Sequence, residues 1–157
     1  MTMTPRNKHG IDYRSLADFR YQIRRFLNFS ERAAREAGIE PHQHQALLGI
    51  KGLPIGQKAT VGALAERLQV KHHTAVELIN RLQAKKLIRR TRNGPDRREV
   101  MLALTNRGEH VLTALTRLNR AELRSAGPVL LRVLNAVLVQ GRSRSSRNIR
   151  ASQRRSE

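Results

Sequence analysis

Two short amphipathic stretches, three residues apart and followed at once by an alternating run, constrain the fold of this chain more than any other feature. In VGALAERL, Val61, Leu64, Ala65 and Leu68 recur at i, i+3, i+4 and i+7, which is one face of a helix, and Thr60 is a suitable N-cap. After Gln69-Val70-Lys71 a further helix is predicted from about His72 to Lys86, with Ala75, Leu78, Ile79 and Leu82 facing inward. Two helices of this length joined by so little chain have the form of a helix-turn-helix, although the turn holds no glycine. Leu87–Arg92 and Arg97–Leu104 then flank Asn93-Gly94-Pro95-Asp96, and in the second run Val100, Leu102 and Leu104 alternate with Glu99, Met101 and Ala103. Extended runs about an Asn-Gly turn predict a β-hairpin. A helix-turn-helix with a hairpin directly behind it is a winged helix.

The flanking sequence is helical. From Ile11 to about Ala37 the residues Leu16, Phe19, Ile23 and Leu27 form one stripe, and Gly38 closes the helix. Pro41 opens a second helix, which runs to about Lys51 before the loop Gly52-Leu53-Pro54-Ile55-Gly56-Gln57. Thr105 caps a helix carrying Val111, Leu112, Leu115 and Leu118, and Gly127-Pro128 is expected to break it. Residues 129–139 are apolar on nearly all sides, the pattern of a helix buried from several directions. Beyond Gly141 the chain is Arg- and Ser-rich and cannot build a core. The fold class is therefore mainly α with a small β-hairpin wing. Residues 1–10 read as a flexible leader, 11–140 as a single domain and 141–157 as a basic tail expected to be disordered.

The balance of 31 Lys and Arg against 12 Asp and Glu gives a net charge of +19. Self-repulsion of that size opposes compaction, so a polyanionic partner is expected: DNA, RNA or an anionic membrane surface. Leu, Ile, Val and Phe still make up 40 of the 157 residues, enough for a folded core. The chain has no cysteine, which excludes disulfides, zinc fingers and thiol redox sensing. No stretch approaches the roughly 18 apolar residues of a membrane span, and Met1–Gly10 is polar, so no membrane association and a cytoplasmic location are expected.

The second helix of a helix-turn-helix presents its N-terminal residues to base edges in the major groove. Here these are Lys71, His72, His73 and Thr74, followed a turn later by Glu77 and Arg81. His and Thr can hydrogen-bond bases or phosphates, and Glu can accept from a cytosine amine. The same residues also suit the solvated start of any surface helix. At the hairpin tip Asp96 precedes Arg98 by two, so on an extended strand both lie on one face and the carboxylate can hold the guanidinium in one orientation. With Arg92 and Arg97 beside it, such an arginine suits a narrow minor groove. The alternative is a surface ion pair with no further role.

The run Asp96-Arg97-Arg98-Glu99-Val100-Met101-Leu102-Ala103-Leu104-Thr105-Asn106-Arg107-Gly108 resembles the wing signature of MarR-type transcriptional regulators: D-x-R, alternating apolar residues, then L-T-x-x-G. VGALAERLQVKHHTAVELINRLQAKKLIRR and PHQHQALLGIKG resemble helices of the same family, and the likeness spans about residues 11–140. Lys86 departs from the glycine often found there. The resemblance implies a winged helix-turn-helix DNA-binding core over about 41–105 and helical dimerisation regions over about 11–37 and 106–140. It implies a homodimer on a pseudo-palindromic duplex DNA site, most often a repressor released by a small aromatic or acidic ligand. Carried over, Lys71 to Thr74, Glu77 and Arg81 read bases, Arg98 enters the minor groove, and Asp96 orients it.

The residues agree with a dimer, because Leu16, Phe19 and Ile23 on the first helix and Val133, Leu134 and Val137 on the last need a cover. All five aromatic residues (Tyr13, Phe19, Tyr21, Phe26, Phe29) fall in the first helix, as core or as walls of a ligand pocket. His42 and His44 are two apart, and His72 and His73 are adjacent. Neither spacing puts both rings on one helix face, so no metal or other cofactor is expected. No phosphate-binding or nucleophile motif and no acid–base pair is evident, and an enzyme is not expected. A sequence-tolerant architectural DNA- or RNA-binding protein is the competing reading.

Overall fold

The computed structural model describes residues 13–92 and 100–153, with residues 140–153 as helix backbone only. Its elements are α1 (Tyr13–Glu36), α2 (Pro41–Lys51), α3 (Val61–Leu68), α4 (His72–Ala84), β1 (Ile88–Thr91), β2 (Met101–Leu104) and α5 (Asn106–Gln153). Local chemistry accounts for the starts. Pro41 is the first residue of α2, where its missing N–H costs no helical bond. Gln43 Oε1 accepts from the Glu40 N–H at 3.0 Å, and Thr60 Oγ1 accepts from the Ala63 N–H at 3.2 Å to cap α3. The strands are antiparallel, pairing Ile88 with Leu104 and Arg90 with Leu102. The mainly α fold with a two-stranded hairpin is the one the periodicity predicts.

Three helices end in the same way. At α1, Gly38 (φ 78°) donates to the Arg35 carbonyl at 3.0 Å and Ile39 donates to the Ala34 carbonyl at 3.1 Å. This pair of bonds around a left-handed residue is a Schellman cap. Gln69 (φ 54°) closes α3 through Gln69 N–H to Glu66 and Val70 N–H to Ala65, both at 3.0 Å. Lys86 (φ 56°) closes α4 through bonds to Gln83 at 2.9 Å and from Leu87 to Leu82 at 3.0 Å. The helix-turn-helix therefore turns without glycine because Gln69 adopts the left-handed conformation itself. For an L-residue with a Cβ that costs about 1 kcal/mol. Lys86→Gly should consequently raise unfolding stability by about 0.5–1 kcal/mol in urea titration; an unchanged or lower midpoint would show that the Lys86 side chain compensates elsewhere.

By its contacts the chain divides into two compact units, Phe29–Ala121 and a second made of Met1–Asn28 with Glu122–Glu157. The first holds one continuous core in which Leu47, Leu64, Ile79, Leu82, Leu87, Ile88 and Leu115 are fully buried. Ala33 and Ala34 from the end of α1, and Leu112 and Leu115 from the start of α5, belong to that same core. The unit boundaries accordingly fall inside α1 and α5, not at their ends.

The L-T-x-x-G segment closes this unit. The Thr105 N–H donates to the Leu87 carbonyl at 3.0 Å, and its hydroxyl donates to the Lys86 carbonyl at 2.7 Å while accepting from the Gly108 N–H at 3.1 Å. One threonine thus caps α5 and fastens it to the end of α4 and the start of β1. Gly108 is required for this approach: a Cβ there would overlap the Leu87 carbonyl oxygen and stand 3.0 Å from its carbon.

His44 is only 3% exposed on α2, and burial lowers its pKa from the usual 6.5, because the cation would lose its hydration. The unfolded chain therefore takes up a proton, below about pH 6.5, that the folded chain resists. Stability from this group is complete above that pH and is lost as pH falls. Thermal melts at pH 7.5 and 5.5 should show a drop that shrinks in His44→Gln; an identical drop in the variant would assign the effect to other groups.

One expectation needs correction. Gly127-Pro128 does not break the chain: α5 runs through Pro128 as one 48-residue helix. Proline removes the bond to the carbonyl four residues back, that of Arg124, and both Arg124 and Pro128 are exposed, so water can serve the freed acceptor. The backbone of α5 is helical on through the Arg/Ser-rich segment to Gln153. Arg, Gln and Ser have no conformational bar to helix, and an existing helix end removes the cost of nucleation.

Candidate nucleic-acid interface

Helix α4 presents two chemically different faces. Ala75, Leu78, Ile79 and Leu82 are buried against the core, which fixes the helix axis and roll. Lys71, His72 and His73 stand exposed at its N-terminus, with Thr74 half-buried beside them. Lys71 is the N-cap and makes no side-chain capping bond, so the first amides of α4 point outward with the partial positive charge of a helix N-terminus. Glu77 follows one turn later and Arg81 a turn beyond it, and the two pair with each other at 3.5 Å, both about two-thirds exposed. An exposed pair of this kind is worth little to stability. The sequence-assigned reading residues therefore run along the open side of a core-seated helix, from Lys71 at its N-cap to Arg81 in its last turn.

Behind this helix the hairpin contributes further cations. Arg92 is exposed just past β1, and Arg89 and Arg90 are exposed within it. Asp96, Arg97 and Arg98 lie outside the described residues. Two residues not singled out from the sequence join the surface: the Arg90 guanidinium donates from Nη2 to Asn80 Oδ1 of α4 at 2.7 Å. Asn80 follows His73 and Glu77 at helical spacing, and the alternation of β1 puts Arg90 on the face of Ile88. The spacing of Asn80 was legible in the sequence; the placement of Arg90 was not. Which arginine of the Arg89-Arg90 pair turns inward depends on hairpin register.

The residues assigned to a subunit contact sit where a single chain leaves apolar surface. Leu16 is 47% exposed, while Phe19, Ile23, Val133, Leu134 and Val137 are half-buried. Among the described residues no hydrophobic side chain before Ala33 or after Leu115 is buried. Of the aromatics, Tyr13 and Tyr21 are exposed and the three phenylalanines half-buried, with Arg32 stacked 6.0 Å from the Phe29 ring centre. An open groove of about 770 Å³ lies between α2, the following loop and α3; Leu48, Leu53, Leu68 and Arg67 line it, and none of the aromatics does. No helix among the described residues is long and apolar enough to cross a membrane.

A buried three-helix core, a helix-turn-helix and an antiparallel hairpin stitched to the next helix define a winged-helix protein. Residues 37–99 match the model of the MarR family. No curated protein matches the sequence. Among solved structures, a MarR family transcription regulator is similar with a TM-score of 0.65 and 23% identity, over 86% of this chain and 92% of that one. S. aureus MepR in complex with DNA is similar with a TM-score of 0.60 and 21% identity, over 80% and 91%. Bordetella bronchiseptica BpsR, whose DNA binding is regulated by 6-hydroxynicotinic acid, has a TM-score of 0.57 and 19% identity, over 79% and 94%. At these identities the likeness establishes a shared fold.

Proposed function

We propose that the protein is a non-enzymatic, sequence-specific transcription regulator that binds duplex DNA as a homodimer on a pseudo-palindromic site, represses, and is released by a small ligand. The observation that carries this reading is the exposed N-terminal end of α4, cationic and uncapped, on a helix whose other face is locked into the core. Lys71, His72, His73, Thr74, Glu77 and Arg81 are the proposed base-reading set, with Arg92, Asp96, Arg97 and Arg98 of the wing beside the minor groove. The unburied apolar residues of α1 and of α5 beyond Leu115 support the homodimer. MepR in its DNA complex and BpsR with its hydroxynicotinate response support the DNA partner and the ligand response. The ligand is proposed to be small and acidic or aromatic, and to act from the cytoplasm.

The net charge of +19 favours one rival, a sequence-tolerant architectural DNA- or RNA-binding protein. Competition among genomic fragments at fixed salt separates the two. A regulator should retain a few fragments with a preference of about 10³ or more over random duplex. Equal retention of all fragments with a steep salt slope would establish the rival. On a selected fragment, Arg98→Ala should weaken binding by about 1–3 kcal/mol in fluorescence anisotropy and leave the melting curve unchanged. Unaltered affinity would remove the wing from the interface.

A further inference from the structure

The Arg90–Asn80 contact is the one place among the described residues where a wing cation is fastened to the exposed face of α4. It arises from hairpin register. Arg90 pairs with Leu102, and Ile88 pairs with Leu104. Cross-strand partners share a face, and Ile88, Leu102 and Leu104 are all buried. Arg90 is therefore the last residue of β1's inward face, and its stem leaves the edge of the core toward α4. Arg89, opposite Ala103, belongs to the other face.

On α4, Asn80 continues the exposed row of His73 and Glu77, opposite the buried Ala75, Leu78, Ile79 and Leu82. The two side chains meet at 2.7 Å on the protein surface. The chemistry of the partner matters. A carboxylate would orient the guanidinium and also cancel its charge, as Glu77 does for Arg81. The carboxamide of Asn80 is neutral, so Arg90 is oriented and keeps its full positive charge. Among the described residues only one of its five guanidinium N–H donors is engaged, leaving the others for an anion. A free surface arginine must give up rotamer freedom when it binds, and one already held gives up less.

Building on the DNA-binding reading above, we propose that Asn80 is a positioning residue. Its carboxamide holds the Arg90 guanidinium at the junction of α4 and the wing, so that Arg90 clamps a DNA backbone phosphate between the two elements. A planar, forked cation suits a phosphate oxygen pair, and the contact sets the register of the protein on the duplex without reading sequence. Because α4 and the hairpin address neighbouring grooves, a phosphate between them is within reach of a group bonded to one and carried by the other.

The test uses full-length protein and fluorescence anisotropy with two labelled duplexes, a fragment selected by the wild-type chain and a mixed-sequence control, across a salt series. Arg90→Ala should weaken binding to both duplexes by a similar factor, about tenfold, and lower the salt slope by about 1. Asn80→Ala should weaken both by about three- to tenfold while the slope stays nearly unchanged, because the charge remains. The double variant should be no weaker than Arg90→Ala alone. Asn80→Asp, which neutralises the cation in place, should lower the slope as Arg90→Ala does. Both positions are exposed, so melting curves should match wild type.

Full affinity in Arg90→Ala, or additive losses in the double variant, would overturn the proposal. So would a change of preferred base in Asn80→Ala, which would make Asn80 a reader of bases. A wild-type chain that binds neither duplex would defeat the DNA-binding reading itself; wild-type binding with unaltered variants would defeat this proposal alone.

Discussion

Gly108→Ala should be among the most damaging single-methyl additions this chain can suffer, lowering unfolding stability by about 3–5 kcal/mol. The new Cβ would overlap the Leu87 carbonyl oxygen, and that oxygen is main chain with no rotamer into which it can retreat. The same carbonyl accepts the Thr105 N–H, and Thr105 also holds Lys86 and caps α5. Relief of the overlap must therefore pull α5 away from β1 and from the end of α4. For a domain of this size the loss corresponds to a melting temperature lower by about 10 °C or more. Gly127→Ala is the internal control: nothing lies within 4 Å of a Cβ there, and alanine should stabilise the helix by about 0.5–1 kcal/mol. If differential scanning calorimetry gave equal shifts for both variants, the close approach at Leu87 would not be a determinant of stability.

Leu131→Arg combined with Leu138→Arg should turn the proposed dimer into a monomer and reduce affinity for a selected DNA fragment by about 10²–10³-fold. The two residues are 62% and 59% exposed in the single chain, so charging them leaves its own core intact. They lie seven residues apart on α5 and, in the proposed dimer, would face a second copy that cannot accept buried, unpaired cations. Two linked half-site contacts multiply, and a monomer loses the second. Sedimentation equilibrium reads the mass and anisotropy the affinity. A double variant that stays dimeric, or a wild-type chain that is monomeric, would remove this face from the proposed subunit contact.

Much of the fold is legible in the sequence because the signals are local. The i, i+3, i+4, i+7 spacing of Val61, Leu64, Ala65 and Leu68, and the cap at Thr60, place α3 at Val61–Leu68. The alternation of Leu102 and Leu104 against Met101 and Ala103 appears as the buried and half-exposed faces of β2. Gly38 announces the end of α1 because glycine carries no penalty at positive φ. The equivalent ends at Gln69 and Lys86 carry no such announcement. There the left-handed conformation is imposed by the Schellman bonds and by burial of Leu87, against side-chain preference. Gly127-Pro128 misleads in the opposite sense. It is a strong local stop signal, yet its cost on an exposed helix is limited to one carbonyl that water can reach.

The candidate site divides along the same line. The sequence by itself determined the helix-turn-helix, the hairpin behind it, the excess of positive charge and the candidate set Lys71, His72, His73, Thr74, Glu77 and Arg81, all from periodicities and caps that span a few residues. Tertiary structure alone decided which wing arginine meets α4, because strand register fixes the inward face and the core beneath fixes the distance. It alone decided why a threonine and a glycine stand at the start of α5, since their partners, Lys86 and Leu87, are some twenty residues away in the chain. Short-range patterns report what a segment prefers to be. Contacts between backbone atoms distant in sequence report what its neighbours will allow.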